Sequence, residues 1–459
     1  MMFDELFNPM MSRRQMLKRA SCGFGFLALA DMCTRIFAAE SNNPLAAKAP
    51  HFKARAKRVI FMYMGGAPSH VDTFDYKPKL AADAGKSVEG KGGKRKLLKS
   101  PFKFSQHGKS GLWLPEIFSN LAKHADDLCL LNSMYTDVAV HGSATTELHT
   151  GNFRFPRPSM GAWALYGLGT ENSELPGFIT LNGAGGTQNY SSGFLPASYQ
   201  GTKIDAGGKA EGSEVANIVN PKLGAELQRQ QLDALGEINR ERLQKDQVNP
   251  ELEGLIESYE LAFRMEGAVP QVMDLSSESS STQAAYGIGE KGTDNFGRQC
   301  LLARRFVEAG VRFVELGMGG WDQHKQLKAK VASNAHAIDK PIAGLIQDLK
   351  QRDMLKDTLI VWGGEFGRTP SAQNDDGRDH NNKGFSMWMA GGGVKGGYRH
   401  GATDDHGGVA VHQKMHINDL HATMLYLLGL DHEKLTYRYS GRDYRLTDLA
   451  GVVAKDVIA

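Results

Sequence analysis

Two short stretches in the last third of the chain combine a carboxylate with an imidazole: Asp322 with His324, and Asp379 with His380. Between them in sequence stand Glu365 and Arg368. Carboxylate oxygen together with imidazole nitrogen suits zinc, manganese or a similar divalent ion, whereas an all-oxygen set suits calcium or magnesium. A guanidinium beside such a set neutralises charge on an anionic group. Asp322, His324, Glu365, Asp379 and His380 are therefore candidate ligands of a divalent metal, with Arg368 as the candidate anion partner. His141 opens the polar run 141–151, which ends in Thr150 and Gly151 and reads as the start of a helix. Helix N-termini bind anions through unpaired N–H groups, so a reactive group placed there is electrostatically favoured.

These residues meet only if the segments carrying them end at one edge of a common scaffold. Residues 358–362 form a short β-branched and apolar run closed by Gly363 and Gly364, the pattern of a strand buried on both faces. Similar runs at 59–64, 128–132, 311–316 and 387–390 read as further strands. Residues 295–309, 334–349 and 417–429 read as helices, the last with Asn418 or Asp419 near its cap and Gly429 at its end. Acidic and His residues follow the strands, and Gly377 to His380 reads as a loop. The pattern predicts a doubly wound, mostly parallel α/β sheet flanked by helices, with the chemistry beyond the carboxyl ends of the strands. Residues 214–266 have helical patterning rich in charge, and 276–281 read as a serine-rich linker. The expected organisation is a main domain over 55–451 with a helical insertion or cap at about 205–293. The basic, glycine-rich stretch 86–103 reads as a solvated loop.

With 459 residues, a formal charge of +3 and 41% hydrophobic residues, the chain is globular and not dedicated to nucleic acid. Arg13 and Arg14, the apolar run 20–32 and the small residues Ala38 and Ala39 have the layout of a twin-arginine export signal over 1–39. That run, broken by Asp31, is shorter than the roughly 20 residues a bilayer span needs. The expectation is a periplasmic or secreted protein, exported through the twin-arginine translocation machinery, with no stable membrane span in the mature chain. Cys129 and Cys300 remain after the signal, as one disulfide or as two buried thiols.

Residues 358–367 resemble the T-L-V-I-F-T-S-D-H-G strand of sulfatases and alkaline phosphatases, and 419–429 resemble their D-I-A-P-T-L-L-x-x-x-G helix. Residues 141–151 have the length and the Thr-Gly ending of the sulfatase signature C-x-P-S-R-x-x-x-x-T-G. A closer likeness is carried by 64–69 with 72–75, then by Trp321, Asp322 and His324, by 365–370 and by 377–380. These are similar to domain-of-unknown-function family 1501, of the alkaline-phosphatase-like superfamily, over roughly residues 57–449. The resemblance implies an alkaline-phosphatase-like fold and one or two divalent metals. It also implies a nucleophile at the helix start and an Asp-His pair after the late strand. Here the first strand is followed by Met64 and Gly65, with no Asp until Asp72, and Glu365-Phe366 stands in place of the Asp-His pair. His141 occupies the sulfatase Cys position and Thr145 its Arg position, which excludes a formylglycine mechanism there.

The resemblance thus implies an exported metallohydrolase acting on small-molecule or glycan sulfate or phosphate esters. Asp322, His324, Glu365 and His380 would hold the metal, Arg368 would neutralise the transferred group, and His141 would act as nucleophile, as general acid or base, or as another ligand. The alternative is a member that has lost catalysis and serves as a binding or assembly protein of the cell envelope. A metal-dependent isomerase or phosphotransferase uses the same fold but is less natural outside the cytoplasm.

Overall fold

The computed structural model describes residues 43–90, 93–155, 157–183, 185–206, 224–246 and 250–459. The export signal expected over 1–39, and part of the insertion expected at 205–293, lie outside them. A nine-stranded sheet organises the described chain. Its strands are β1 (Arg58–Tyr63), β2 (Leu128–Tyr135), β3 (Phe178–Leu181), β4 (Thr202–Ile204), β5 (Phe313–Gly317), β6 (Thr358–Gly363), β7 (Phe385–Ala390), β8 (Tyr398–His400) and β9 (Met415–His416). They lie in the order β8-β2-β7-β6-β1-β5-β3-β4, with β9 also on β2. Every pairing is parallel except those made by β7, which runs antiparallel to β6 and β2. The chain from β6 to β7 never crosses the sheet: it rises into a hairpin and comes straight back down, and a connection that stays at one end gives an antiparallel neighbour.

The apolar runs become strands because both faces of the sheet are covered. In β1, Ile60 and Met62 point into one core while Val59, Phe61 and Tyr63 point into the other. β6 repeats this with Ile360 and Trp362 against Leu359 and Val361. Seven helices concern the argument: α1 (His141–Thr150), α2 (Met160–Leu168), α3 (Ala225–Asp246), α4 (Pro250–Met273), α5 (Asp294–Glu308), α6 (Leu327–Gln351) and α7 (Ile417–Leu427). α5 and α6 cover the first face through Phe296, Phe306, Ile338 and Leu345, and α2 and α7 cover the second through Trp163, Leu165, Leu420 and Met424. Each such side chain contributes about 1.5–3 kcal/mol on burial. The two-sided packing is the doubly wound arrangement expected of the sequence. α4 sits on the first face through Met265, Val269 and Met273. The serine-rich stretch is not a free linker: Ser279 caps a short helix over Ser280–Ala285. α6 begins about two turns before the expected 334, because Leu327 and Val331 are buried and continue the apolar face of Ala335, Ile338 and Ile342. Cys129 and Cys300 are both buried and unbridged, on opposite faces of the sheet.

Residues 377–381 correct the loop reading. Gly377–Asn381 is a strand paired antiparallel with Gly367–Gln373, and this hairpin stands above the carboxyl end of β6. Arg378 fixes it. Its side chain is fully buried, Nε and Nη2 donate to Asp72 Oδ2 and Oδ1 at 2.6 and 3.1 Å, and the remaining donors meet the carbonyls of Thr369, Pro370 and Leu98. Breaking a buried ion pair by removing one partner costs about 3–5 kcal/mol. Asp72→Asn is therefore expected to lower the urea-unfolding free energy by about that amount and to raise hydrogen exchange in residues 367–381 ahead of the sheet. Exchange that rises uniformly, or no loss of stability, would refute the anchoring role.

A candidate metal centre above the sheet

Four of the parallel strands deliver their following residues to one edge. β5 leads to Asp322 and His324, β2 to His141 at the first turn of α1, and β6 to Glu365 and the hairpin with Arg368 and His380. β1 leads to Gly66, whose φ of +105° favours glycine, and a Cβ there would lie 2.6 Å from the Asp322 backbone nitrogen. The approach places the Asp322 loop directly against the end of β1. Trp321, buried and edge-on to Trp362 at 6.2 Å, anchors the same loop from below. Gly377 makes the matching contact on the other side, since a Cβ there would meet the His324 carbonyl at 1.9 Å.

The result is a convergence of three imidazoles on one carboxylate oxygen. His141, His324 and His380 each point Nε2 at Asp322 Oδ1, at 3.2, 2.8 and 3.5 Å. The Nε2 atoms of His324 and His380 are 3.0 Å apart. The partners of the opposite ring nitrogens assign the tautomers. His141 Nδ1 faces Glu365 Oε1 at 2.5 Å, His380 Nδ1 faces the Ala139 carbonyl at 2.9 Å, and His324 Nδ1 faces Gln373 Oε1. Each is an acceptor, so each Nδ1 carries the proton and each Nε2 presents a lone pair. His141 Nε2 is buried without a hydrogen-bond partner. Lone pairs facing one another at such distances are stabilised by a cation between them. Orientation of each imidazole through its second nitrogen is the usual support of a metal ligand.

Burial alone would lower the pKa of His141, but the carboxylates of Glu365 and Asp322 outweigh it and raise it. Burial, with Arg368 and the two neighbouring imidazoles, lowers that of His380. Burial disfavours the charged form of Asp322, yet the Arg368 guanidinium prevails and holds its pKa at about 2.

Several expected roles change. Asp379, an expected ligand, is turned away: its Oδ2 receives Arg95 at 3.0 Å and its Oδ1 receives the His380 backbone N–H. The Glu365 carboxylate touches the cluster through His141 and also accepts Gly66 N–H at 3.0 Å, so it stands behind the imidazole. His141, foreseen chiefly as nucleophile or acid–base group, joins the ligand-type cluster. Arg368, foreseen beside the transferred group, is fully buried. It donates to Asp322 Oδ1 at 2.6 Å and to the carbonyls of Gly66 and Ala67. Phe366 packs against both His141 and His380, 4.8 Å from each ring, while the two imidazoles lie 4.4 Å from one another. Sequence reasoning missed Gln373 and the Ala139 carbonyl; neither carries a signal beyond its place near the end of an element.

A second group has comparable distances and the opposite tautomer. His416 Nε2 lies 3.4 Å from Glu147 Oε1 and 3.5 Å from Asp137 Oδ1. His416 Nδ1, however, accepts the Asn418 N–H at the start of α7, so Nε2 holds the proton and offers no lone pair.

A cleft of about 460 Å³ opens beside the first cluster, lined by Tyr63, His141, Thr145, Asn182, Gln188 and Glu365 among others. None of the described helices is long and apolar enough to cross a membrane.

Residues 56–458 match the family described as protein of unknown function, DUF1501. The chain belongs to the DUF1501 family. No curated protein matches the sequence. Among solved structures, the lipoteichoic acid synthase LtaP from Listeria monocytogenes is similar at 10% identity and a TM-score of 0.37, covering 88% of this chain and 79% of its own. The PsFucS1 sulfatase from Pseudoalteromonas sp. gives 13% identity and a TM-score of 0.36, over 83% and 69%. A TAB5 alkaline phosphatase mutant with Mg bound gives 10% identity and a TM-score of 0.33, over 82% and 99%. Superpositions this loose assign no chemistry to the chain.

The tautomers are directly measurable. In nitrogen–proton correlation spectra of the metal-free protein at alkaline pH, His141, His324 and His380 are expected as Nδ1–H forms, and His416 and His421 as Nε2–H forms, His421 because Nε2 faces the Leu148 carbonyl at 2.8 Å. An Nε2–H signature for His324 or His380 would refute the assignment.

Proposed function

We propose that this protein is an exported metal-dependent hydrolase of sulfate or phosphate esters. The observation that carries the reading is the meeting of three Nε2 lone pairs with Asp322 Oδ1, each imidazole oriented by an oxygen acceptor behind it. His141, His324, His380 and Asp322 would hold a divalent ion. Three nitrogens and one carboxylate favour zinc or manganese over calcium or magnesium. Such an ion, when bound, polarises an ester oxygen and makes a bound water more acidic.

The chain's own groups supply the rest. Glu365 keeps His141 in its Nδ1–H tautomer, and its Oε2 is buried without a hydrogen-bond partner among the described residues. That oxygen belongs to a residue lining the cleft, where it accepts a proton from an attacking water. Tyr63 lines the same cleft, its hydroxyl 2.8 Å from Thr145 Oγ1. Burial, then Glu365, pushes its pKa up, so it remains a neutral donor. Arg368 orients Asp322, and Phe366 covers His141 and His380 with apolar surface. Export through the twin-arginine pathway to the periplasm or beyond, inferred from the leader, belongs to the same proposal.

One observation favours the second reading, a non-catalytic envelope protein: Arg368 is committed to Asp322 and to backbone carbonyls, leaving it no free donor face for a transferred group. Elemental analysis coupled to hydrolysis assays separates the two. The mature protein is expected to hold about one divalent ion per chain and to cleave aryl sulfate or aryl phosphate, with both properties lost on chelation. His324→Ala and His380→Ala are expected to lose the ion, Asp379→Asn to keep it, and Gln373→Ala to weaken binding by about 10–100-fold. Stoichiometric metal without turnover would favour the non-catalytic reading; no metal would overturn the site.

A further inference from the structure

The charges built around this centre say which esters fit it, an inference that rests on the hydrolase reading above. The charged side chains touching the cluster are Asp322, Glu365 and Arg368. Asp322 accepts an N–H from Arg368, and Glu365 accepts N–H groups from His141 and Gly66, the acceptor role of ionised carboxylates. The imidazoles donate Nδ1–H outward and are neutral ligands. Two carboxylates and one guanidinium leave one net negative charge. Asp379 adds none, because Arg95 balances it at 3.0 Å. A divalent ion therefore brings the centre to one net positive charge. Beyond it, the cleft lining consists of glycines, Met318, Tyr63, Thr145, Asn182, Gln188 and Asn189 together with His141 and Glu365, with no lysine or arginine among the described residues. His141 opens α1, and a helix N-terminus adds about half a positive charge. That still falls short of the second charge a dianion needs.

We propose that the site selects monoanionic esters, sulfate monoesters and phosphodiesters, over dianionic phosphate monoesters. A monoanion neutralises the loaded centre. A dianion leaves an excess charge beside Glu365 in a cleft lined by no cationic side chain among the described residues, and a charge uncompensated at such short range weakens binding. Glu365 is the residue that sets this limit. It lies against both the imidazole and the cleft, and Glu365→Gln removes its charge while keeping an oxygen to accept His141 Nδ1–H.

Non-hydrolysable probes test the inference without relying on turnover. Phenylsulfonate, a monoanion, and phenylphosphonate, a dianion at mildly alkaline pH, would be titrated calorimetrically into the full chain, with metal content measured on the same samples. The wild type is expected to bind the sulfonate at least about tenfold more tightly. Glu365→Gln, with its metal retained, is expected to shift that ratio about tenfold or more toward the phosphonate. Equal affinities, a preference for the dianion, or binding of neither probe by protein that holds its metal would overturn the selectivity. An unchanged ratio in metal-replete Glu365→Gln would remove Glu365 as its cause. A wild type that holds metal and cleaves aryl phosphate faster than aryl sulfate and phosphodiester would leave the hydrolase reading standing and overturn this one alone. Absence of metal would overturn both.

Discussion

Arg378 is the joint on which the upper half of the structure turns. A guanidinium has five N–H donors, and all five are met inside the protein: two by the Asp72 carboxylate and three by the carbonyls of Thr369, Pro370 and Leu98. A buried cation in this condition is tolerated only because its counter-charge and its remaining partners are all in place. The partners come from three separate segments: the loop after β1, the basic glycine-rich region, and the hairpin itself. One side chain thus ties the hairpin to the carboxyl end of the sheet. His380 rides on that hairpin two residues beyond Arg378, and Arg368 on its other strand reaches Asp322. Without the joint, the third imidazole and the carboxylate at its centre lose their common frame.

The same logic separates what the sequence made legible from what it did not. Residues 358–362 declare themselves as a doubly buried strand because every side chain is apolar and the run is short. Asp322, His324 and Glu365 are recognisable because each comes soon after such a strand. The strand over 377–381 is not recognisable. Gly, Asp and Asn are depleted in strands and none of the five residues is β-branched, and the hairpin is held by Arg378 reaching Asp72, some three hundred residues away in sequence. Direction is equally hidden. Asp379 and His380 are adjacent, but in a strand adjacent side chains leave by opposite faces, so one meets the cluster and the other meets Arg95. A loop reading permits both to ligate; a strand reading permits one.

Glu365 and Phe366 show how a familiar pattern can keep its place and alter its work. An Asp-His pair after the late strand would place two donors on the same centre. Here Glu365 reaches the centre through His141, and the aromatic ring of Phe366 packs against two imidazoles. The third imidazole of the cluster is His141, which comes from a different strand and the first turn of a different helix. That helix is held from below as well: His149, eight residues on, lies buried with Nε2 2.8 Å from Glu315 in β5. Since α1 is pinned at its far end to β5, and His141 at its near end faces the loop that follows β5, helix and loop share one support.

Among the described residues, two groups of acidic and imidazole side chains satisfy the distances a metal asks for, and proximity does not tell them apart. The hydrogen bond on the far nitrogen does. At His324, His380 and His141 the far nitrogen meets an oxygen, which accepts a hydrogen bond from it, so the proton stays on the far nitrogen and the near one is left bare. At His416 the far nitrogen meets the backbone N–H of Asn418, which can only donate, so the near nitrogen keeps its proton and turns it toward Glu147 and Asp137. A helix cap has claimed the lone pair that a metal would need. The capping function and the ligand function of a histidine exclude one another when both draw on the same tautomer, and the choice follows from whether the ring's outer edge faces a carbonyl or the start of a helix.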